Sequence, residues 1–260
     1  MSNLFFVDEW VLLATFLVLM LVGAECGYRW GRQRAQRASD PISSHLTHEA
    51  SALGVLALIL AFTFSMAATR FDARRAIVLD EANAIGTAAL RADFLPPDLA
   101  ATARGLLADY ADARVALYDA GADDGLRDAA LSRSERLHAQ IWNVAVQAVN
   151  RNRAEVPAVS FAHAVNAVID QHGARKASYG NHIPDVVYLL VYCVGFVAFV
   201  LSGVASGLQH HRSRLPTAMM AVLVSVVVFL VTDLDRPQRG LLRISDASMI
   251  ELAKSLRPTP

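Results

Sequence analysis

The sequence predicts an all-α integral membrane protein with four transmembrane helices and a helical soluble domain inserted between the second and third spans. Two observations lead to this fold class. Hydrophobic residues make up 54% of the 260-residue chain, and the mean hydropathy of +0.35 is typical of a membrane protein with a soluble part. Four long apolar segments, each with few or no charged residues, also stand out along the chain.

The charges, cysteines and motifs argue against several other classes of protein. The formal net charge is zero, so the composition gives no reason to expect a nucleic-acid partner. Both cysteines, Cys26 and Cys193, lie at or inside apolar segments, which argues against a disulfide framework or a CxxC metal site. The sequence has no Walker loop, no GxGxxG motif and no Ser-His-Asp pattern typical of a catalytic triad. We therefore expect neither an enzyme nor a confident metal or cofactor site.

The first span is predicted within residues 1–28, and a basic loop follows at residues 29–49. Asp8 and Glu9 precede the apolar run, whereas its arginines follow it. A secretory signal has the opposite charge order and a clearer cleavage site, so we interpret this segment as a retained span.

The second span, residues 50–69, is the most informative segment of the chain. It carries no charged residue and is long enough to cross a hydrocarbon core of about 30 Å as a helix. No helix breaker separates it from the polar residues that begin at Arg70. A single helix that continues from the membrane into water suits the lining of a pore with a vestibule.

Residues 70–185 are predicted to form the helical soluble domain. The stretch is rich in Ala, Leu, Arg, Asp and Glu, and lacks the alternation that marks strands. Breakers at 96–97, 119–125 and 157 divide it into four predicted helices, which are 70–94, 98–118, 126–152 and 158–176. Asp98 follows two prolines and is predicted to cap the second of these helices.

The third and fourth spans are predicted at residues 186–208 and 215–232. A short basic loop at 209–214 joins them as a hairpin, and a polar tail follows at 233–260. The positive charges of the short loops favour cytoplasmic loops, with both termini and the soluble domain outside.

Two stretches carry a resemblance to a known family. Residues 54–91 include FTFSMA, DARR and EANAIGTA, and residues 233–245 begin with DLDRP. These stretches resemble hallmarks of a bacterial bestrophin-like membrane protein family of uncharacterised function, which is distantly related to the bestrophin anion channels. The resemblance implies a homopentamer in the bacterial inner membrane, with a central pore for small anions. It also implies a cytoplasmic soluble domain, opposite to what the loop charges favour.

In bestrophins the second span lines a neck of apolar rings spaced one turn apart. On this chain, Leu58, Phe62 and Met66 have that spacing and are the preferred neck residues. A second set with the same spacing is Leu60, Phe64 and Ala68. The alternative for either set is that these side chains face lipid or pack within the protein.

The charged residues that follow the second span form a second candidate site. They are predicted to build an anion-attracting vestibule or an inter-subunit belt of salt bridges, and the set is Arg70, Asp72, Arg74, Arg75 and Glu81. The alternative is a solvated helix whose arginines extend from the membrane surface.

A third candidate site follows the last span and comprises Asp233, Asp235 and Arg236. Bestrophins bind Ca²⁺ with an acidic cluster after the last span, and carboxylate oxygens are suitable ligands for that ion. With two carboxylates in the motif, a salt bridge to Arg74 or Arg75 is the preferred interpretation.

Two functions remain open from the sequence. The first is an oligomeric channel for small anions with the second span lining its pore. The second is a non-conducting membrane scaffold or sensor whose helical domain binds a partner. A channel requires the second span of each subunit to face a shared axis, whereas a scaffold fills that axis with packed side chains or lipid.

Overall fold

The computed structural model describes residues 9–35, 42–121, 123–151, 156–210, 212, 214–236 and 242–257. All regular structure in these ranges is α-helical. The helices, in chain order, are α1 (Glu9–Ala35), α2 (Ile42–Ala92), α3 (Pro97–Asp119), α4 (Asp124–Arg151), α5 (Val156–Tyr179), α6 (Asp185–Leu208), α7 (Arg214–Asp235) and α8 (Ala247–Leu256).

Contacts within the chain divide it into two compact units. The membrane unit comprises the described residues up to Arg70 together with His182–Leu242. The helical unit comprises Phe71–Asn181 and the described residues from Arg243 onward. Helix α2 contributes residues to both units.

Within the described residues, four helices are long and apolar enough to cross a membrane: α1, α2 from Thr47 onward, α6 and α7. The four apolar segments of the sequence lie within these helices. An apolar helix of this length satisfies its own backbone hydrogen bonds, which is the condition for crossing the hydrocarbon core.

Helices α1 and α6 of the membrane unit approach each other at glycines. A Cβ atom added to Gly27 would lie 2.1 Å from the carbonyl oxygen of Val200, and one added to Gly203 would lie 2.1 Å from that of Ala24. Backbones this close are typical of membrane helices that pack through small residues. The remaining core is formed by larger apolar side chains, among them Phe16, Met20, Leu56, Val191, Phe199 and Val228.

The helical unit packs α3, α4, α5 and α8 with the residues of α2 from Phe71 onward. Three of its four predicted helices correspond closely to α3, α4 and α5, and the first, predicted at 70–94, is the continuation of α2 to Ala92. The core is lined by Ile85, Leu107, Tyr110, Ile141, Phe161, Val165 and Met249, among others.

The predicted capping role of Asp98 is wrong. Pro96 occupies the N-cap position of α3, and no side chain caps that helix end. The Asp98 carboxylate instead accepts two hydrogen bonds from Arg151, at 2.9 and 2.6 Å. A charge pair with α4 therefore replaces the local cap.

Residues from Arg243 onward belong to the helical unit, although the sequence reads there as a polar tail. They include α8, whose Met249 and Ala253 are buried in the core of that unit. No helix is predicted from the sequence at this position.

Candidate functional site

Two of the three predicted neck residues lie on a face of α2 that the chain leaves exposed. Leu58 is 56% exposed and Phe62 is 65% exposed. Met66 is partly buried, and its sulfur lies 3.9 Å from a guanidinium nitrogen of Arg70. Large apolar side chains exposed on a membrane helix must meet lipid, another subunit or a pore.

The second set at the same spacing is placed differently. Leu60 is 8% exposed and packs in the core of the membrane unit. Phe64 is 39% exposed, on a different side of the helix from Phe62. A buried Leu60 cannot form an open ring, so the exposed face carries the first set.

The same side of α2 stays exposed along the rest of the helix. Ser65, Thr69 and Asp72 in turn follow Phe62 at spacings of three and four residues, and all three are exposed. Within the helical unit, Leu90 is a large apolar side chain that is also exposed. An amphipathic helix buries one face and leaves the other available.

The predicted charge belt separates into exposed and buried members. Asp72 and Arg75 are exposed, Arg70 is partly buried, and Arg74 and Glu81 are buried. Among the described residues, the ion pairs of Glu81 are with Arg114 and Arg175, which lie outside the predicted belt.

Arg74 reaches the C-terminal end of α5. Its guanidinium donates hydrogen bonds to the carbonyl oxygens of Asn181, at 2.6 Å, and Ser178, at 3.4 Å. The last carbonyl groups of a helix lack partners within the helix, and a cation is favoured near that end. Arg74 therefore fixes the end of α5 to α2.

Glu81 belongs to a buried polar network whose other members are not among the predicted site residues. Its carboxylate lies 2.8 Å from Arg114 of α3 and 2.8 Å from Arg175 of α5. Arg175 also contacts Asp246, at 3.2 Å. The hydroxyl of Tyr110 donates a hydrogen bond to Glu81 at 2.8 Å.

A sequence signal for this network exists. Leu107, Tyr110, Arg114 and Leu117 share one helical face, and every other member of that face is apolar and buried. An arginine on such a face requires an internal acidic partner, because a charge buried without one is very unfavourable.

Two histidines adjoin the network. His172 Nδ1 lies 3.3 Å from the Tyr110 hydroxyl. Because that hydroxyl already donates its proton to Glu81, it can only accept from His172, so the Nδ1 atom carries the hydrogen. The ring of His138 stacks edge-on against that of His172, with centroids 4.6 Å apart.

Burial dominates the electrostatics of these groups. Burial, with the charge of Glu81, raises the pKa of Tyr110 well above its ordinary value. Burial, reinforced by His172 and Arg114, lowers the pKa of His138 to about 4. Burial and then Arg114 also lower the pKa of His172. Both rings are therefore neutral at pH 7.

The acidic residues after the last span act on backbone amides. Both carboxylate oxygens of Asp235 lie 3.1 Å from the Ile183 nitrogen, which donates to them. Asp233 accepts the N–H of Leu242 at 3.0 Å. Arg236, the third predicted residue, is buried.

The fit of a metal ion to these residues is poor. Within the described part of the chain, no group of three His, Cys, Asp or Glu side chains is placed to hold one. Both carboxylate oxygens of Asp235 and one oxygen of Asp233 already accept hydrogen bonds. Their contacts favour a structural role at the end of α7.

Comparison with known proteins supports this architecture. A crystal structure of a variant bacterial bestrophin homolog from Klebsiella pneumoniae superposes with a TM-score of 0.68 at 13% identity, covering 96% of this chain and 98% of that chain. Another, determined by Zn-SAD phasing, gives a TM-score of 0.63 at 15% identity, covering 96% and 97%. At these identities the likeness shows the fold. No curated protein sequence matches the chain.

The family assignment comes from the sequence itself. The model of the Bestrophin-like domain matches residues 32–249, which include α2, the helical unit's core helices and both acidic residues after the last span. This chain belongs to the Bestrophin-like family.

Proposed function

We propose that this chain forms a homo-oligomeric channel for small anions in the bacterial inner membrane, with α2 lining the pore. Membership of the Bestrophin-like family supports a channel-type function rather than an enzymatic one. The observation that carries the proposal is the exposure of Leu58 and Phe62 on one face of a membrane-crossing helix.

A ring of such side chains has the properties of a gate. A narrow apolar constriction loses its water readily, and this closes it to ions. The edge of an aromatic ring carries partial positive charge, so a ring of Phe62 side chains turned edge-on favours an anion over a cation. Leu58 and Met66 would extend the constriction by one turn on either side.

One copy of α2 cannot enclose a pore, so the proposal requires several copies of the chain. The exposed apolar side chains of the helical unit, including Leu90 and Phe94, support contacts between copies, because patches of this kind mark interaction surfaces. A pentamer is the number that the family resemblance implies. Membrane lipid would cover the outward faces of the spans.

The proposed vestibule includes fewer charged residues than the sequence predicts. Arg74 and Glu81 are buried and engaged within the helical unit. Arg70, Asp72 and Arg75 are the members of the set that are exposed or partly buried. Two cations and one anion leave a positive balance, which attracts small anions.

Anion flux through proteoliposomes tests the proposal. Phe62→Ala widens the proposed neck, and we expect it to change the rate of chloride or bicarbonate flux. Phe64→Ala is the matched control, because it removes the same side chain two residues away on another face of α2. Equal effects of the two substitutions would contradict the assignment of the neck.

The scaffold or sensor function is the alternative outcome. Absence of flux from folded, oligomeric protein, tested in both membrane orientations, would favour it over a channel. The exposed apolar residues of the helical unit would then be the surface for a partner.

A further inference from the structure

A cavity of about 400 Å³ in the membrane unit lies where α1, α6 and the start of α7 meet. It is separate from the exposed face of α2 and from the acidic residues after the last span. Its lining includes Leu21, Glu25, Tyr28, Arg212, Arg214 and Ala218. Its volume lies within the usual range of small-molecule sites.

The polar end of the cavity is positively charged. Arg212 pairs with Glu25 at 2.8 Å, and its guanidinium lies 5.0 Å from the centre of the Tyr28 ring. Glu25 also pairs with Arg29, at 3.0 Å, so one carboxylate balances two arginines. Arg214 has no ion-pair partner among the residues that the structure describes.

The start of α7 adds to this positive end. Arg214 is the first residue of a helix whose first turn contains no acidic side chain. The Arg214 N–H is already donated to the carbonyl oxygen of Arg212 and Pro216 has no N–H, so this end contributes the Arg214 charge and the helix dipole, which favour a bound anion.

The opposite end of the cavity is apolar and extends along the membrane span. Leu21 lies seven residues before Tyr28 on α1, which corresponds to about 10 Å along the helix axis. Tyr28 and the exposed Trp30 are aromatic residues of the type found at the headgroup level. The cavity therefore joins a cationic headgroup-level end to an apolar end within the membrane.

We propose that this cavity binds an anionic phospholipid, with the phosphate at Arg212 and Arg214 and an acyl chain against Leu21 and Ala218. A free phosphate ion shares the chemistry of the polar end, but it leaves the apolar wall without a partner. A zwitterionic lipid carries a positive headgroup charge, which the two arginines repel. A phospholipid with one net negative charge, such as phosphatidylglycerol, matches both ends.

Native mass spectrometry of the full-length, delipidated protein tests this proposal, using phosphatidylglycerol and phosphatidylcholine as probes. We expect preferential retention of phosphatidylglycerol, and we expect Arg214→Gln to reduce it about fivefold, as loss of one cation near a lipid headgroup predicts. Ala218→Leu narrows the cavity without changing its charge and should reduce retention similarly. Arg32→Gln removes an exposed arginine outside the cavity lining and is the control.

Three results would overturn the proposal. Equal loss of phosphatidylglycerol from Arg32→Gln and Arg214→Gln would indicate general surface charge. Full retention by both Arg214→Gln and Ala218→Leu would exclude this cavity as the site. Displacement of the lipid by millimolar inorganic phosphate, with equal retention of the two lipids, would identify a site for free phosphate.

Discussion

Glu81 and Arg114 form an ion pair inside the helical unit, with Arg114 Nε 2.8 Å from Glu81 Oε1 and side chains that are 0% and 1% exposed. Arg114 Nη2 also donates a hydrogen bond to Glu81 Oε2 at 3.3 Å. Arg175 and Asp246 extend the pair. The network therefore ties α2, α3, α5 and the segment before α8 into one unit.

Removing the acidic partner should be strongly destabilising. Glu81→Ala leaves Arg114 and Arg175 buried without the negative charge of Glu81. We therefore expect a loss of about 3–5 kcal/mol in the free energy of unfolding. Denaturant unfolding of the detergent-solubilised protein measures this quantity. Asp80→Ala changes the exposed neighbouring residue and should stay within about 0.5 kcal/mol of wild type. Equal losses in the two variants would show that the network does not stabilise the fold.

The two histidines beside the network should make the stability of the helical unit depend on pH. The pKa of His138 is about 4 in the folded protein against an ordinary value of 6.5. Between these pH values the unfolded chain binds the proton and the folded chain does not, so stability falls as the pH decreases. Because the His138 ring is partly exposed, solvent screening reduces the effect of this pKa difference. We expect it to contribute on the order of 2 kcal/mol to the free energy of unfolding.

Melting temperatures measured from pH 7 to pH 4 test this dependence. The double variant His138→Gln with His172→Gln should show a smaller decrease over this range than the wild-type protein. His163, a histidine of α5 outside the network, supplies the control substitution His163→Gln. A decrease of the same size in all three proteins would assign the pH dependence to other groups.

The contact between α1 and α6 should not tolerate a methyl group. Gly27→Ala places a Cβ 2.1 Å from the Val200 carbonyl oxygen, so the helices must move apart and lose packing along the contact. We expect a lower melting temperature and a larger aggregated fraction on size-exclusion chromatography. Gly54→Ala is the control, since a Cβ there meets no atom within 4 Å. A stable Gly27→Ala protein would mean that this close approach is dispensable.

Asp235 should act as a structural acceptor rather than as a calcium ligand. Asp235→Ala leaves the buried Ile183 N–H without its acceptor, which costs about 1–3 kcal/mol. Because both carboxylate oxygens are already engaged, we expect the wild-type melting temperature to be the same in calcium and in chelator. A calcium-dependent increase that disappears in Asp235→Ala would instead identify a calcium site.

The sequence was most informative where one physical effect dominates. Long apolar runs predict membrane helices because the hydrocarbon core admits little else. The breakers around residues 96–97 and 119–125 predict the ends of helices because proline and glycine act locally. The apolar runs predicted the positions of α1, α2, α6 and α7. The breakers predicted most of the helix boundaries in the helical unit.

The sequence was least informative where partners distant in the chain decide the outcome. Asp98 has the residue type of a helix cap, but α3 begins at Pro97, which places Asp98 inside the first turn, where it pairs with Arg151 of α4. Glu81 follows a charge-rich stretch, and this position predicts an exposed side chain. In the structure its side chain points into the core instead. Its direction depends on Arg114 and Arg175, which lie 33 and 94 residues further along the chain.

The most direct test of the central claim is chemical modification at position 62 during anion flux. In a background with Cys26→Ser and Cys193→Ser, Phe62→Cys places one thiol on the exposed face of α2, and Phe64→Cys places it on another face. If α2 lines the pore, a water-soluble methanethiosulfonate reagent will block flux through Phe62→Cys, reduction will restore it, and Phe64→Cys will be unaffected. Flux through Phe62→Cys that persists after complete modification would contradict a pore lined by α2.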